Sequence, residues 1–269
     1  MARAAPVLRR LGVRYRLFRR HTRVELHEVE VRVRRLPRAF DGFRIALLSD
    51  LHYSVWCEAS DYDRLVELVA SAEPDLVVLA GDNVSFDRKL IGPIVRMLAR
   101  LDAPHGTYAV LGNHDYWEGA DETARAYAEC GIRLLVNEWN SIRRDGAELI
   151  IAGIDDLVSG EPDVEKTLSG IPSGAPVVLL SHVASVVDHP LVERVDLVLA
   201  GHAHAGQINV PLVGPVYLPR HATRRLLKGH ARIGSTQLYV SRGIGTTGLW
   251  FRRRAQPEVP IIVLHTAKA

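Results

Sequence analysis

The sequence of 269 residues predicts an α/β fold with largely parallel strands, and three observations support it. Hydrophobic residues make up 47% of the chain and charged residues 24%, a globular mix that excludes a disordered chain, a coiled coil or a fibre. Six short segments are almost continuously apolar, which is typical of strands covered on both faces. Segments with helical periodicity lie between most of them. The predicted strands are 44–49, 75–80, 107–111, 148–152, 176–181 and 196–200, and the predicted helices are 60–72, 87–101, 121–130 and 184–194.

The first element of the chain is a basic segment, residues 1–23, which contains eight Arg and no acidic residue. Its apolar residues recur at three- and four-residue steps, so we predict an amphipathic helix. Such a helix is suited to an anionic membrane surface, with its arginines near the lipid headgroups. A frayed terminus and a helix docked on the rest of the chain are the alternatives. Residues 24–269 form the second predicted unit.

The elements that follow the basic segment complete the predicted order. Val29, Val31 and Val33 alternate with charged residues, which predicts an amphipathic strand that Pro37 ends. A turn at 41–42 then leads into the alternating strands and helices. After about residue 205 the chain is rich in Gly, Pro and β-branched residues, which predicts loops and late strands.

Charge and cysteine content bear on the location of the protein. Residues 1–44 carry a net charge of +9, from 13 Arg and four acidic residues, whereas the remaining 225 residues carry −6. Because the body is acidic, nucleic acid is not expected as its partner. The two Cys indicate a reducing compartment, and no segment approaches the apolar length of a membrane-spanning helix. We therefore expect a cytoplasmic protein, or one held on the inner face of the cell membrane by residues 1–23.

Asp, Asn and His residues directly follow five of the predicted strands. Carboxyl ends of strands form the edge of an open α/β sheet where ligands bind. Asp50 lies 32 residues before Asp82, which lies 31 residues before Asn113, and each interval is the length of one strand–helix–strand unit. We therefore expect these three side chains to lie side by side. The five motifs are SDLH (49–52), GDN (81–83), GNHD (112–115), SH (181–182) and GHAH (201–204).

The donor atoms in these motifs suit a metal centre. Each motif alone has an ordinary explanation as a helix N-cap, a turn or a hydrogen-bonded core histidine. Together they offer oxygen and nitrogen donors without a thiolate, which suits Mn, Fe, Zn or Ni better than Ca or Mg. There are enough donors for two ions that share a carboxylate. Two ions about 3.5–4 Å apart can clamp both oxygens of a displacement at phosphorus and lower the pKa of a bridging water.

The five motifs, present in this order, resemble those of the calcineurin-like metallophosphoesterases over about residues 44–265. The longer forms at 201–207 and 241–248, with a closing strand at 259–264, are most similar to a bacterial branch that includes a phosphodiesterase and a UDP-2,3-diacylglucosamine hydrolase. The resemblance implies a four-layer α/β/β/α sandwich of two mixed sheets flanked by helices. It also implies hydrolysis of a phosphodiester or pyrophosphate bond by a hydroxide that bridges two divalent ions, with Mn preferred over Fe, Zn or Ni.

The same resemblance assigns roles to the motif residues. His114 would contact the phosphate and stabilise charge or protonate the leaving oxygen, and Asp115 would orient the ring of His114. An imidazole held by a carboxylate keeps one tautomer and a raised pKa, which suits a general acid near neutral pH. The implied metal ligands are Asp50, His52 and His204 for one ion, Asn113, His182 and His202 for the other, and Asp82 as the bridge between them.

Substrate selectivity is expected from loops around the metal edge. The aromatic residues beside the first and third motifs are candidates for an apolar wall, with packing beneath the loops as the alternative. Basic residues after the last motif are candidates for a second phosphate or a lipid headgroup, with a solvated loop as the alternative. The aromatic candidates are Tyr53, Trp56, Tyr116 and Trp117, and the basic candidates are Arg220, Arg224, Arg225, Lys228, Arg232 and residues 252–254.

Three functions remain open at this point. The first is a two-metal hydrolase of a small-molecule or lipid-linked phosphoester, such as a UDP-2,3-diacylglucosamine-type sugar nucleotide. The second is a nuclease, which the concentration of basic charge in the N-terminal segment disfavours. The third is a binding module on an inactive phosphoesterase fold, which is disfavoured because no motif residue is missing.

Overall fold

The computed structural model describes residues 23–267, so nearly all of the predicted amphipathic segment lies outside the described residues. The first sheet contains six strands and the second contains six, with a small two-stranded hairpin beside them. The strands are β1 Glu25–Val33, β2 Phe43–Leu48, β3 Leu76–Ala80, β4 Thr107–Val110, β5 Arg133–Leu134, β6 Glu138–Arg144, β7 Ala147–Gly153, β8 Val177–Leu180, β9 Leu197–Ala200, β10 Asn209–Val210, β11 Gly214–Pro215, β12 Gly229–Ile233, β13 Thr236–Val240 and β14 Glu258–Thr266. The α-helices are α1 Ala59–Ala70, α2 Ile91–Leu98, α3 Asn113–Glu129 and α4 Val164–Leu168.

Both large sheets are mixed. The first has the order β1-β14-β2-β3-β4-β5 and is parallel except where β14 pairs antiparallel with β2. The second has the order β12-β13-β9-β8-β7-β6 and is parallel except at its two edge pairs. Strands β2, β3 and β4 are therefore parallel neighbours, and so are β8 and β9. Their carboxyl ends point to the same edge of each sheet.

The alternation of side chains along the strands builds three apolar layers. In β2, Ile45 and Leu47 point into the layer between the two sheets, whereas Ala46 and Leu48 face the helices. The second sheet behaves alike, because Leu180 of β8 faces the first sheet and Leu179 faces the outer layer. Both faces of each sheet are thus covered by apolar residues. This arrangement confirms the four-layer α/β/β/α sandwich.

Several predicted elements have different boundaries in the structure. The predicted strand at 29–33 begins at Glu25, because β1 pairs over its whole length with the last strand, β14. It ends at Val33, and Pro37 instead precedes a short 3-10 helix. The predicted helix at 184–194 is two 3-10 helices, since Pro190 starts the second one. The strand β6, with the sequence EWNSIRR, was not predicted because its charged residues hide the alternation.

The third helix has a more consequential difference. It was predicted over 121–130 but begins at Asn113 and passes a kink at Gly119, where φ is 141°. The GNHD motif therefore forms the first turn of α3 rather than a loop. Among residues 23–267, no helix is long and apolar enough to cross a membrane.

Candidate metal centre

The strand ends bring the predicted ligands together from both sheets. Asp50, Asp82 and Asn113 follow the parallel neighbours β2, β3 and β4, so they lie side by side. His182 and His202 follow β8 and β9 of the second sheet, which approaches from the opposite side. All seven predicted ligands are buried.

The first cluster consists of Asp50, His52 and His204. Nε2 of His204 lies 3.3 Å from Oδ1 of Asp50 and 2.9 Å from Nε2 of His52. Nε2 of His52 is 4.0 Å from the same Asp50 oxygen. The potential ligand atoms of these three residues lie within 4.8 Å of one another, a spacing that one cation can span.

The second cluster consists of Asp82, His182 and His202. Nδ1 of His182 donates to the carbonyl of Ala80 over 2.7 Å, and Nε2 of His202 donates to the carbonyl of Arg220 over 2.7 Å. The opposite ring nitrogens, Nε2 of His182 and Nδ1 of His202, are 3.1 Å apart, and Asp82 Oδ2 is 3.2 Å from the former. Carbonyl partners fix the tautomers of metal-binding histidines in this way.

Asp82 lies between the two clusters. Its Oδ2 atom is 3.7 Å from Nε2 of His52 as well as 3.2 Å from Nε2 of His182. Asp82 also joins His52 and His114 in a third group of close donor atoms. This position fits the predicted bridging role.

A pair of orphaned oxygens supports the fit of these residues to cations. Oδ1 of Asn113 is buried without a hydrogen-bond partner in the described part of the chain, and so is Oδ1 of Asp156. Buried polar atoms are rarely left unpaired, and a cation would satisfy a lone oxygen. In the second cluster, the ring nitrogens of His182 and His202 and a carboxylate oxygen of Asp82 lie close together, and a cation would stabilise this arrangement of lone pairs. Bound divalent ions would polarise a phosphoryl oxygen and increase the acidity of water at this edge.

The backbone is strained at the ligands. Five of the seven predicted ligands have positive φ, between 45° and 69°: Asp50, His52, Asp82, His202 and His204. Non-glycine residues adopt this left-handed region rarely, at a cost of about 1–3 kcal/mol each. The surrounding structure therefore holds these side chains in directions that the chain would not otherwise choose.

Two motif glycines are required by close packing against the ligands. A Cβ atom at Gly201 would lie 2.6 Å from Oδ2 of Asp50, and one at Gly112 would lie 2.7 Å from the backbone nitrogen of Asp82. Neither space admits a methyl group. The glycine in GHAH thus lets the second sheet approach the first at the centre, and the glycine in GNHD lets the end of β4 approach the end of β3 within the first sheet.

Burial and neighbouring charges set the ionisation of the centre. Burial lowers the pKa of His52 and His204 well below the ordinary value and that of His202 to about 4, which keeps these imidazoles neutral, as ligands must be. Burial raises the pKa of Asp82, but the neighbouring histidines, His182 first among them, together hold that pKa well below its usual value. At His182 burial lowers the pKa, but the neighbouring carboxylates, Asp82 first among them, together raise it above its usual value.

The expected contact between Asp115 and the ring of His114 is wrong. Both carboxylate oxygens of Asp115 accept backbone N–H groups instead, from Asp82 at 2.8 Å, Asn83 at 2.9 Å and Gly112 at 3.0 Å. Asp115 therefore fixes the turns that carry the second and third motifs. The raised pKa expected for His114 is also wrong, because burial lowers it.

Ser85 takes the place that was expected for Asp115. Its Oγ lies 2.6 Å from Nδ1 of His52 and 3.0 Å from Nδ1 of His114. When Nε2 of His52 serves as a ligand, its Nδ1–H donates to Ser85, whose hydroxyl then donates to His114. That leaves the proton of His114 on Nε2, which lies 3.4 Å from Oγ1 of Thr247 at the cavity. The only indication of Ser85 in the sequence is its place two residues after GDN.

Asp156 is a second residue that the motif analysis missed. It is fully buried, and its Oδ2 accepts the backbone N–H groups of Val158 and Ser159 at 3.0 and 2.7 Å. Burial raises its pKa, while the charge of His182 acts in the opposite direction. Asp156 follows the end of β7, so the rule that found the five motifs would also have found it.

A cavity of about 710 Å³ opens on the clusters. A volume of this size is typical of sites for small-molecule ligands. Its polar floor includes Asp82, Asn113, His114, His202 and His204. Its apolar lining includes Phe86, Trp117, Val216, Tyr217 and Leu249.

Only part of the predicted substrate set lines this cavity. Trp117 does, with its ring centroid 4.5 Å from that of His114, and so does Arg220. Tyr116 does not, because its hydroxyl donates to Asp155 over 2.5 Å and its ring packs against the core. The remaining candidates are corrected likewise, since none of them belongs to the cavity lining: Tyr53, Trp56, Arg224, Arg225, Lys228, Arg232 and 252–254.

The loop that contains 252–254 has a structural role. Arg252 is buried, and its guanidinium donates to the carbonyls of Gly245 and Arg242 over 2.7 and 2.6 Å. It also lies 3.1 Å from Nδ1 of His204. The apolar lining residues Phe86, Tyr217 and Leu249 were missed because they lie in irregular segments without a periodic pattern.

Comparisons with known proteins agree with this centre. The family model described as calcineurin-like phosphoesterase matches residues 43–206. The chain is 31% identical over 251 residues to the uncharacterized metallophosphoesterase YkuE of Bacillus subtilis, covering 90% of this chain and 86% of that protein. It is also 31% identical over 227 residues to the phosphodiesterase YaeI of Escherichia coli, covering 82% of each.

A solved structure supports the fold. The sulfate thiohydrolase SoxB of Thermus thermophilus matches with a TM-score of 0.51 and 15% identity, over 86% of this chain and 57% of that one. The chain thus spans little more than half of that longer protein. Motif order, fold and relatives agree: the chain belongs to the calcineurin-like phosphoesterase family and is a metal-dependent phosphoester hydrolase.

Proposed function

We propose that the protein hydrolyses a phosphodiester or pyrophosphate bond in an amphiphilic substrate, such as a lipid-linked sugar nucleotide of the UDP-2,3-diacylglucosamine type. The observation that carries this proposal is the cavity of about 710 Å³, whose polar floor is the metal centre and whose walls are largely apolar. A phosphate at the floor would place an attached apolar group against Trp117, Tyr217 and Leu249. A fully hydrated substrate would gain nothing from such walls.

The residues of the centre have complementary tasks in this proposal. The seven predicted ligands would hold two divalent ions, with Mn²⁺ preferred and Fe, Zn or Ni as alternatives. His114 presents Nε2–H to a phosphoryl or leaving oxygen, because Ser85 occupies its Nδ1 side. Trp117 packs its ring against that of His114 at a centroid distance of 4.5 Å.

A diester substrate is favoured over a monoester. The cavity extends well beyond the space of one phosphate, and it is bordered by Arg220, which can meet a second phosphate group. The relative from Escherichia coli is named a phosphodiesterase, which supports the same preference. The basic segment 1–23 would hold the protein on the inner face of the cell membrane, and deleting it should then reduce flotation with anionic liposomes.

A substrate panel tests the proposal. We would assay the Mn²⁺-loaded protein with a bis-aryl phosphodiester, an aryl monoester, UDP-2,3-diacylglucosamine and single-stranded DNA. The expected result is turnover of the diester and of the lipid-linked pyrophosphate, with a higher KM for the latter in Trp117→Ala and an unchanged KM for the small diester.

Other outcomes of the panel favour the rival functions. Cleavage of DNA alone would identify a nuclease. No turnover of any substrate in a sample that contains its metal would identify an inactive binding module. Asp82→Ala serves as the inactive control in each assay, since it removes the bridge between the clusters.

A further inference from the structure

The exposed large apolar side chains of the described residues are concentrated in one place. Nine such side chains are at least 41% exposed, and five of them lie in 210–217 and three in 249–251. The ninth, Trp117, lines the cavity. Scattered exposed apolar residues need no explanation, but a contiguous group of this size marks an interaction surface.

The two segments form one continuous surface. Ile208 forms a β-bridge with Arg253, and the N–H of Asn209 donates to the carbonyl of Arg253 over 3.0 Å. Nε2 of Gln207 donates to the carbonyls of Thr247 and Leu249 over 2.9 and 3.1 Å. We call the exposed apolar residues of 210–217 and 249–251 the apolar rim.

The most prominent part of the rim is a hairpin tip. Strands β10 and β11 pair antiparallel, and the turn between them carries Leu212, which is fully exposed, and Val213, which is 60% exposed. Turns of this kind are normally polar or glycine-rich, since their side chains face water. An apolar tip that projects from the body indicates a partner with an apolar interior.

The charges around the rim identify that partner. Residues 207–232 and 241–257 contain no Asp or Glu and nine Lys and Arg, of which seven are exposed, one is buried and one is ion-paired. Arg225, Lys228 and Arg254 are exposed among them. The rest of the body is acidic, so this basic face is local to the rim. Exposed apolar side chains ringed by cations match an anionic bilayer, with apolar groups in the acyl region and cations at the headgroups.

We propose that this face docks the catalytic body on an anionic lipid bilayer, with the apolar rim inserted and the mouth of the cavity turned towards the membrane. Val216, Tyr217 and Leu249 belong both to the rim and to the cavity lining, so the mouth lies within the docked face. The face contains no residue of the basic segment 1–23 and does not depend on the proposed substrate. Nucleic acid fits the charge but not the apolar hairpin tip.

Vesicle binding tests the proposal with the full-length chain. Vesicles of phosphatidylcholine, with and without phosphatidylglycerol, would be floated with wild type and three triple variants. The rim variant is Leu212→Ser, Val213→Ser and Trp250→Ser, and the charge variant is Arg225→Glu, Lys228→Glu and Arg254→Glu. The matched control changes the same charge at exposed residues elsewhere, in Arg38→Glu, Arg125→Glu and Lys166→Glu.

We expect wild type to bind the anionic vesicles and both face variants to lose at least about tenfold in affinity. For the charge variant, the reason is that each basic residue near the surface contributes about fivefold to the affinity for an anionic bilayer. For the rim variant, the reason is the loss of inserted apolar side chains. The control should stay within about threefold. Face variants that bind like wild type, or a wild type that does not bind, would overturn the proposal. So would a charge variant that loses binding to single-stranded DNA while the rim variant binds vesicles normally, because that result identifies a nucleic-acid surface.

Activity on a soluble bis-aryl diester separates this proposal from the proposed function. The rim variant should keep that activity, because Leu212, Val213 and Trp250 are outside the cavity lining. If the wild-type protein binds vesicles but hydrolyses no phosphodiester, the proposed function is contradicted and the docking proposal is still supported.

Discussion

At the scale of single residues, the centre is built from backbone conformations that would be unfavourable elsewhere. His52 and His204 both have φ near 50°, and their Nε2 atoms face each other at 2.9 Å. Left-handed residues at a ligand site persist only where the surrounding structure over-determines them. Burial and the convergence of strand ends supply that constraint here.

Ser85 offers the sharpest test of the hydrogen-bond chain at His114. Ser85→Ala removes the group that joins His52 to His114, so we expect kcat to fall about 10–100-fold with little change in KM. Metal content should stay close to that of wild type, and Ser85→Thr should recover most of the rate. An Ala variant with wild-type kcat would show that Ser85 does not position His114.

Asp82 and His114 should separate metal binding from chemistry. Asp82→Ala should lose both ions and all activity, because Asp82 belongs to the second cluster and its Oδ2 lies 3.7 Å from Nε2 of His52 in the first. His114→Ala should keep its metal content and lose about 10²–10⁴-fold in rate, the range for a general acid. Elemental analysis and steady-state rates on the same samples check both. Full metal content in Asp82→Ala would contradict the bridging role.

The sequence predicted the ligand residues but not what surrounds them. Asp50, Asp82 and Asn113 could be found because strand ends are readable from apolar runs, and parallel neighbours share an edge. The partner of His114 could not, since Asp115 within the GNHD motif and Ser85 just after GDN are both polar candidates. Which of them reaches the His114 ring depends on the backbone turns, and the Asp115 carboxylate instead accepts three backbone N–H groups.

At the scale of elements, the centre depends on how loops are held against strand ends. The segment between β13 and β14 wraps Asp50, and Gly245 donates its N–H to the carbonyl of Asp50 over 2.7 Å. Arg252 fixes the same segment from inside. This segment has no regular secondary structure of its own, so it relies on these side-chain and backbone contacts.

Loss of the Arg252 side chain should therefore destabilise the protein. Arg252→Met leaves buried carbonyls of Arg242 and Gly245 without their donors, at a cost of about 2–3 kcal/mol. For a chain of this length that corresponds to a fall in Tm of roughly 5–10 °C. Arg254→Met, at an exposed position in the same loop, should change Tm by less than about 2 °C. Equal Tm values for the two variants would contradict the role of Arg252.

Element boundaries were predictable where one period dominates. Strands β3, β8 and β9 are apolar on both faces, and the predicted and observed ranges agree within a residue or two. The start of α3 was missed because its first turn, Asn113 to Tyr116, is occupied by functional residues instead of a helical apolar stripe. Functional residues at the motifs thus replace the apolar pattern from which a helix is predicted.

At the scale of the whole molecule, the two sheets meet at a shared edge and the centre joins them. Asp50 and Asp82 come from the first sheet, and His182 and His202 from the second. An ion bound between them acts as a cross-link that exists only in the folded state. Metal binding should therefore be visible as global stability.

Metal removal tests this coupling. At Mn²⁺ about 100-fold above Kd, stabilisation of about 2.7 kcal/mol is expected, which raises Tm by roughly 5–10 °C over the chelator-treated protein. Differential scanning calorimetry with and without Mn²⁺ measures it. Asp82→Ala serves as the control and should show no such rise. A wild-type Tm that is the same with and without Mn²⁺ would contradict a buried metal centre.

The most direct measurement of the central claim is anomalous diffraction from crystals grown with Mn²⁺. Two peaks are predicted about 3.5–4 Å apart. One should lie among Asp50, His52 and His204, the other among Asn113, His182 and His202, with a carboxylate oxygen of Asp82 near both. A single peak, or peaks away from these side chains in a protein that still hydrolyses phosphodiesters, would contradict the two-ion centre.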